Sequence, residues 1–241
     1  QEGVTLTNEG TITNNGSILL EGGKIVGSGS VTGSQPCYPT KVSVSADSSP
    51  AWGGTVTLTA TVTMPSGAGV TLPSTLGTVS FSVGNTTLNN GTGVNVEANS
   101  DGTYTAKLEN VNVTAENGFA VGDNTITATY SGVAGDDDGY GLAESTGTAT
   151  LTVSKAAQTA PDAEKGYTID YVNEKVEAED GYELAANEGD TGSSELSVTP
   201  GTDVYIRFAE TGTHNASAWT KVPIPARPAA PTGITGGNNQ I

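Results

Sequence analysis

The sequence predicts an all-β protein, and three observations carry that prediction. Apolar residues alternate with threonine over long runs: in 121–132, Ile126, Ala128 and Tyr130 interleave with Thr125, Thr127 and Thr129. A period of two puts one side of a strand in a core and the other in water. Such runs recur along the chain, bounded by Gly, Asn and Asp, the residues that turns require. Ahead of them lies a short-period repeat of aliphatics, asparagines and glycines.

That repeat occupies residues 4–33. Leu6, Ile12 and Ile18 are six apart, as are Asn8 and Asn14, and Gly10, Gly16 and Gly22; the pattern resumes loosely at Ile25 and Val31. Inward aliphatics, stacked asparagines and turn glycines at this period suit the coils of a parallel β-solenoid. The segment resembles the Asn/Gly/Thr-rich β-helix repeats of bacterial adhesins, and the resemblance implies the last coil of a longer β-helix. An ordinary hairpin extension is the alternative that the pattern leaves open. Residues 34–40, with Pro36 and Pro39, read as a boundary. Cys37 within them reads as an inert thiol in a linker.

Residues 41–154 hold seven alternating runs. Val42 and Val44 begin the first. Val56, Leu58, Ala60, Val62 and Met64 share a face opposite Thr55, Thr57, Thr59, Thr61 and Thr63. Val79, Phe81 and Val83 follow, then Val94 and Val96 after the turn signal Asn89-Asn90-Gly91. Tyr104, Ala106 and Leu108 come next, then Ile126, Ala128 and Tyr130, and Ala149, Leu151 and Val153 close the set. Runs of this length and spacing fit a β-sandwich. Trp52 to Ala60, Gly77 to Phe81, and Gly122 to Gly132 resemble the bacterial immunoglobulin-like repeat family. The resemblance implies a sandwich that serves mostly as a stalk on bacterial surface proteins, with no shared catalytic residues. The longer, acidic loop Gly135–Gly141 departs from that pattern.

A third region follows. Tyr167, Ile169 and Tyr171 alternate, then Tyr182 and Leu184, Leu196 and Val198, and Val204, Ile206 and Phe208. Trp219 to Ile224 offers a last strand, which Pro223 demotes to a sheet edge. Thr213 to Ser217 and Pro225 to Pro231 resemble a small β module that recurs in tandem in large Gram-positive surface proteins. Ala160-Pro161 and Ala230-Pro231 echo each other, as if a further copy began there. The reading is therefore 1–36 as a β-solenoid end, 37–157 as an immunoglobulin-like β-sandwich, 158–228 as a small sandwich-like module, and 229–241 as a linker or the start of a next repeat.

Composition narrows the function. Nine basic residues stand against 26 acidic ones, a net charge of −17. Nucleic-acid binding needs cationic surface to displace counterions from phosphates, and an anionic membrane would repel this chain. Ten acidic residues and two lysines lie between Asp162 and Asp190, which reads as a solubilising surface. The single cysteine excludes an internal disulfide. No apolar run approaches the ~20 residues of a membrane helix, and no charged segment followed by an apolar one marks a signal peptide. The chain reads as a processed form or fragment of something larger.

Candidate chemistry is sparse. His214 is the only histidine and no nucleophile elbow accompanies it, so it reads as a turn residue. The carboxylates sit in polar segments, not at apolar strand ends as a glycosidase pair would. Asp136-Asp137-Asp138-Gly139, with Asp123 from the preceding turn, could give hard oxygens to calcium, although an exposed acidic loop is the favoured reading. Lys41 is the lysine to watch for a Lys–Asn isopeptide bond, which needs burial beside an acid. Trp52, Tyr140 and Trp219 could stack on sugar rings; Tyr140 is the hardest of the aromatics to place in a core. Five matches to the glycosylation sequon, from Asn15 to Asn215, are expected by chance in so Asn- and Thr-rich a chain.

The sequence therefore predicts a non-catalytic structural stalk of a bacterial cell-surface, cell-wall or secreted protein, an adhesin being one case. It predicts no enzyme activity, cofactor, metal or catalytic residue, and a monomer. The alternatives are a module binding extracellular glycan or host matrix protein through loops such as Gly135–Gly141, and an accessory region of a β-helix polysaccharide-degrading enzyme.

Overall fold

A computed structural model describes residues 4–66, 70–135, 140–229 and 232. Strands and two short 3₁₀ turns make up its regular structure, with no α-helix among the described residues. The protein is all-β. Among the described residues no helix is long and apolar enough to cross a membrane. Contacts divide the chain into two units, Gln1–Ser154 and Lys155–Ile241.

The first unit opens with parallel pairing. Strands β1 (Thr5–Thr7), β2 (Thr11–Asn14), β3 (Lys24–Val26) and β4 (Ser30–Gly33) come from two successive passes of the chain. β1 pairs with β3 and β2 with β4, so Leu6 lies beside Ile25 and Ile12 beside Val31, each nineteen residues further on. The six-residue spacing seen in the sequence thus moves the chain around a pass, and the parallel neighbour comes after nineteen. A hairpin cannot give this arrangement, because its strands run antiparallel. Asn8 and Asn14 are buried. Each side-chain oxygen accepts an N–H two residues on, from Gly10 and Gly16. Each amide donates to the next pass, Asn8 to the Ser30 carbonyl at 3.1 Å and Asn14 to that of Ser34 at 2.7 Å. The 34–40 stretch continues the pattern where its prolines suggested a linker. β5 (Cys37–Tyr38) bridges to Leu19 in parallel, and Tyr38 is buried.

Two antiparallel sheets complete this unit. Their strands, in chain order, are β6 (Lys41–Ala46), β7 (Thr55–Thr63), β8 (Thr78–Val83), β9 (Thr86–Thr87), β10 (Val94–Asn95), β11 (Glu97–Ala98), β12 (Tyr104–Asn112) and β13 (Gly122–Tyr130), followed by β14 (Gly141–Leu142) and β15 (Ser145–Val153). One sheet has the order β10-β8-β13-β15 with β9 on β8, and the other β11-β12-β7-β6. Every second residue of β7 is buried, from Val56 to Val62, and β8 buries Val79, Phe81 and Val83. These residues join Ile126, Ala128 and Tyr130 of β13 in one core shared by both sheets. The run at Val94–Val96, read as one strand, divides: β10 pairs in one sheet, β11 in the other, and the chain crosses at buried Val96. In β12 the register shifts between Leu108 and Val111. Asn110 there takes a left-handed conformation (φ 55°), the mark of a bulge, and Val111 returns to the core.

β14 belongs to neither sheet. It pairs in parallel with β5, Gly141 opposite Cys37 and Leu142 opposite Tyr38. Leu20, Tyr38 and Leu142 are all buried in the core of the two sheets.

The second unit has two three-stranded sheets. β16 (Tyr167–Asp170), β17 (Lys175–Ala178) and β19 (Glu195–Ser197) form one, and β18 (Tyr182–Ala185), β20 (Asp203–Phe208) and β21 (Thr220–Pro223) the other. Val176, Leu184, Val204, Ile206, Val222 and Ile224 are its buried core. β21, with Pro223, lies at an edge. The alternation that included Tyr171 ends early. Asp170 accepts the N–H groups of Val172 and Asn173, Glu174 takes φ 53°, and the chain turns back as β17. Each of the six Lys and Arg residues of this unit is ion-paired, among them Lys175 with Glu195 and Arg207 with Glu183. Exposed pairs such as Lys165–Asp162 add little stability each, whereas Arg207–Glu183 is half-buried.

Tyr130 yields a test. Its ring is fully buried and its hydroxyl has no hydrogen-bond partner among the described residues. Burial pushes its pKa up to about 12. The folded state therefore holds the phenol proton more tightly than the unfolded chain, which titrates near 10. That contribution is complete below pH ~10 and is lost as pH rises toward the folded value. Tyr130→Phe should match or exceed the parent's stability at pH 7, since removing an unpartnered buried hydroxyl costs little, and should be the more stable protein above about pH 10. Urea melts at pH 7 and in the alkaline range check this; a loss above about 1 kcal/mol at pH 7 would show that the hydroxyl has a partner.

Candidate functional site

The loop that the sequence marks as most unusual runs from Gly135 to Gly141. Asp136, Asp137 and Asp138 lie outside the described residues. Asp123, the further calcium ligand considered with them, is exposed on β13 and accepts the Thr152 hydroxyl at 2.6 Å. Among the described residues, no three His, Cys, Asp or Glu side chains converge in a group that could hold a metal ion.

Tyr140 is the residue of this loop whose role the structure specifies. Its hydroxyl accepts the Ile25 N–H at 3.1 Å and donates to the Ile25 carbonyl at 2.7 Å. One side chain thus takes both backbone groups of a β3 residue, on the side of β3 away from β1. Its ring meets Tyr38 edge-on, with centroids 5.6 Å apart and an 80° interplanar angle. Burial, and secondarily the nearby Tyr140, raises the pKa of Tyr38. Tyr140 is half-buried and packs on the core. Considered from sequence as a sugar-stacking residue, it instead joins the loop to the N-terminal passes. β14 follows at once and fixes the loop to β5, and the Thr40 hydroxyl adds a bond to the Ala143 carbonyl at 2.9 Å. An open groove of about 750 Å³ beside this junction is lined by Ser17, Leu19, Ser34, Cys37, Gly132 and Glu144. Cys37, half-buried, is part of that lining.

The other sequence candidates are also engaged structurally. Trp52 packs partly buried against the core. Trp219 has the Arg207 guanidinium 4.1 Å from its ring centroid, a cation–π contact that covers one face. His214 bonds through Nδ1 to the Thr213 hydroxyl at 2.9 Å, and its N–H donates to the Thr211 hydroxyl at 3.0 Å, in the bend where it bridges to Ala156. Lys41 is exposed at the start of β6 and lacks the burial that an isopeptide bond needs.

The second unit carries a feature the sequence reading missed. A groove of about 550 Å³ is lined by Ile169, Tyr171, Val198, Ile224, Pro225 and Arg227. Tyr171 beside it is 70% exposed and the neighbouring Val172 90%. The alternation of Tyr167, Ile169 and Tyr171 suggested a strand and a core ring. The sequence signal that could have corrected this is Asp170, which with Asn173 marks an Asx turn.

No family model matches the chain, and no curated protein matches it significantly.

Replacing Tyr140 by Phe keeps the ring packing and removes both bonds to Ile25. The expected cost is about 1–2 kcal/mol in urea unfolding, with faster exchange of the Ile25 amide. An unchanged Ile25 amide would show that Tyr140 does not close that edge.

Proposed function

We propose that this chain is a non-catalytic structural spacer of a bacterial cell-surface or secreted protein, acting outside the cell and built from an N-terminal β-solenoid end, an immunoglobulin-like β-sandwich and a small β module. The observation that carries the reading is how the chemically capable side chains are used. Tyr140 holds Ile25, Trp219 lies against Arg207, and His214 bonds two threonines of its own bend. None of these groups converges with another on a cleft. The sandwich strands turn their threonine rows outward, which favours solubility and discourages edge-to-edge association. The likeness of Trp52–Ala60, Gly77–Phe81 and Gly122–Gly132 to bacterial immunoglobulin-like repeats adds the surface setting.

A spacer presents no saturable site. On a glycan array and a panel of matrix proteins, the folded chain should give no specific signal, and sedimentation should show a monomer. A saturable, competable hit would overturn the spacer reading.

One observation favours a second reading, a glycan- or matrix-binding module: the exposed Tyr171 ring beside the groove of Ile224 and Pro225. Apolar grooves with an aromatic edge are the usual form of small-ligand sites. Under that reading the hit disappears in Tyr171→Ala, a variant that leaves the melting temperature within about 2 °C because the side chain is mostly in water.

A further inference from the structure

The chain places glycine directly after Asn15, Asn90, Asp101, Asn117, Asp138 and Asp180. Such pairs are chemically labile. The glycine nitrogen, with no side chain to crowd it, can attack the side-chain carbonyl carbon of the preceding residue and close a succinimide ring. An N–H that already donates to an oxygen is turned away from that carbon and must first open. Asp138-Gly139 lies outside the described residues. The other five pairs divide four to one.

Four of the glycine N–H groups are engaged. Gly16 donates to the Asn14 side-chain oxygen at 3.0 Å. Gly91 donates to the Leu88 carbonyl at 3.0 Å, Gly102 to that of Asn99 at 3.1 Å and Gly118 to that of Ala115 at 3.0 Å. In the last three the glycine is the fourth residue of its turn, the position whose N–H closes it. Two of the preceding side chains are held as well. Asp101 accepts the N–H and hydroxyl of Thr103 at 3.0 and 2.7 Å, and the Asn117 amide donates to the Asn112 carbonyl at 2.9 Å.

Asp180-Gly181 is built differently. Its turn is closed by Tyr182, whose N–H donates to the Glu179 carbonyl at 3.0 Å. Gly181 is therefore the third residue, and it takes the positive φ, 87°, that this position asks of glycine in a type II turn. The turn makes no use of the third N–H, and that of Gly181 has no hydrogen-bond partner among the described residues. Asp180 and Gly181 are both exposed, and a Cβ on Gly181 would meet nothing within 4 Å. Here alone among the described pairs the nitrogen is free and has room to turn toward the carboxyl group.

We propose that Asp180 is a modification site, at which the chain slowly isomerises to a β-linked aspartate. The Gly181 nitrogen bonds to Cγ of Asp180, and its proton leaves with the carboxyl hydroxyl as water. Water then adds to either carbonyl carbon of the ring and breaks its bond to nitrogen. Attack at Cγ restores Asp180; attack at the main-chain carbon leaves the backbone running through the side chain. No oxidant or reductant takes part, and the mass is unchanged. The product lengthens the connection between β17 and β18, which lie in different sheets. The inference rests on how the turns are closed and holds whether or not the chain is a spacer.

The test incubates the folded 241-residue chain at mildly acidic pH. An endoprotease that cuts before Asp, and not before its β-linked isomer, then maps the product. The isomer should accumulate at Asp180 at least about tenfold faster than at Asp101, where the glycine N–H must first open. In urea the two rates should converge. Asp180→Asn adds a reading by mass, because deamidation exchanges nitrogen for oxygen. While folded, this variant should lose ammonia at position 180 at least about tenfold faster than at Asn15, Asn90 or Asn117, and at a similar rate in urea. Equal rates at Asp180 and Asp101 in the folded chain would overturn the proposal. So would a difference that survives in urea, since neighbouring residues and not the turn would then be its cause.

Discussion

A strand that places threonine at every second position has one face to bury, and the first unit is organised by that constraint. β7, β8 and β13 have no apolar surface to spare, so their inward residues must meet those of a facing sheet. Burying each large side chain contributes roughly 1.5–3 kcal/mol, and with a single cysteine no internal disulfide assists. The core therefore carries the stability, and polar groups enter it on strict terms. Asn124 is buried because its amide and carbonyl are used by Ala120, Gly122 and Leu151. Among the described residues the Tyr130 hydroxyl is the exception.

The same economy joins the N-terminal passes to the sheets. Two passes of chain cannot enclose much apolar surface, and repeat architectures need neighbours to cover their faces. Leu20 and Tyr38 leave the passes and enter the core of the sheets, where Leu142 meets them. Tyr140 takes the backbone of Ile25, which would otherwise present a bare strand edge. A loop whose composition suggested a ligand site is thus a clamp, at least through its described end.

Much of this architecture was legible in the alternation. Val56 to Val62, Val79 to Val83 and Ile126 to Tyr130 are long enough for a period of two to stand out, and they are the centre of the core. What was not legible depended on long-range pairing or on turns. The nineteen-residue advance was hidden because the period of six records one side of a pass, not a whole one. β5 was masked by Pro36 and Pro39, whose neighbours find a parallel partner more than a hundred residues later. β17 carries one large apolar residue, Val176, too few to show a period. Tyr140 and Tyr171 exchanged roles for the same reason: an aromatic's place depends on what the fold brings to it, and Ile25 and Asp170 decide these two cases.

Leu20, Tyr38, Tyr140 and Leu142 should make the N-terminal passes and the two sheets one cooperative body. Residue-resolved amide exchange across 4–154 tests it most directly. The Cys37, Tyr38 and Leu142 amides should open with the same free energy as those of β7 and β13. Exchange of the passes at free-peptide rates, beside fully protected sheets, would contradict it.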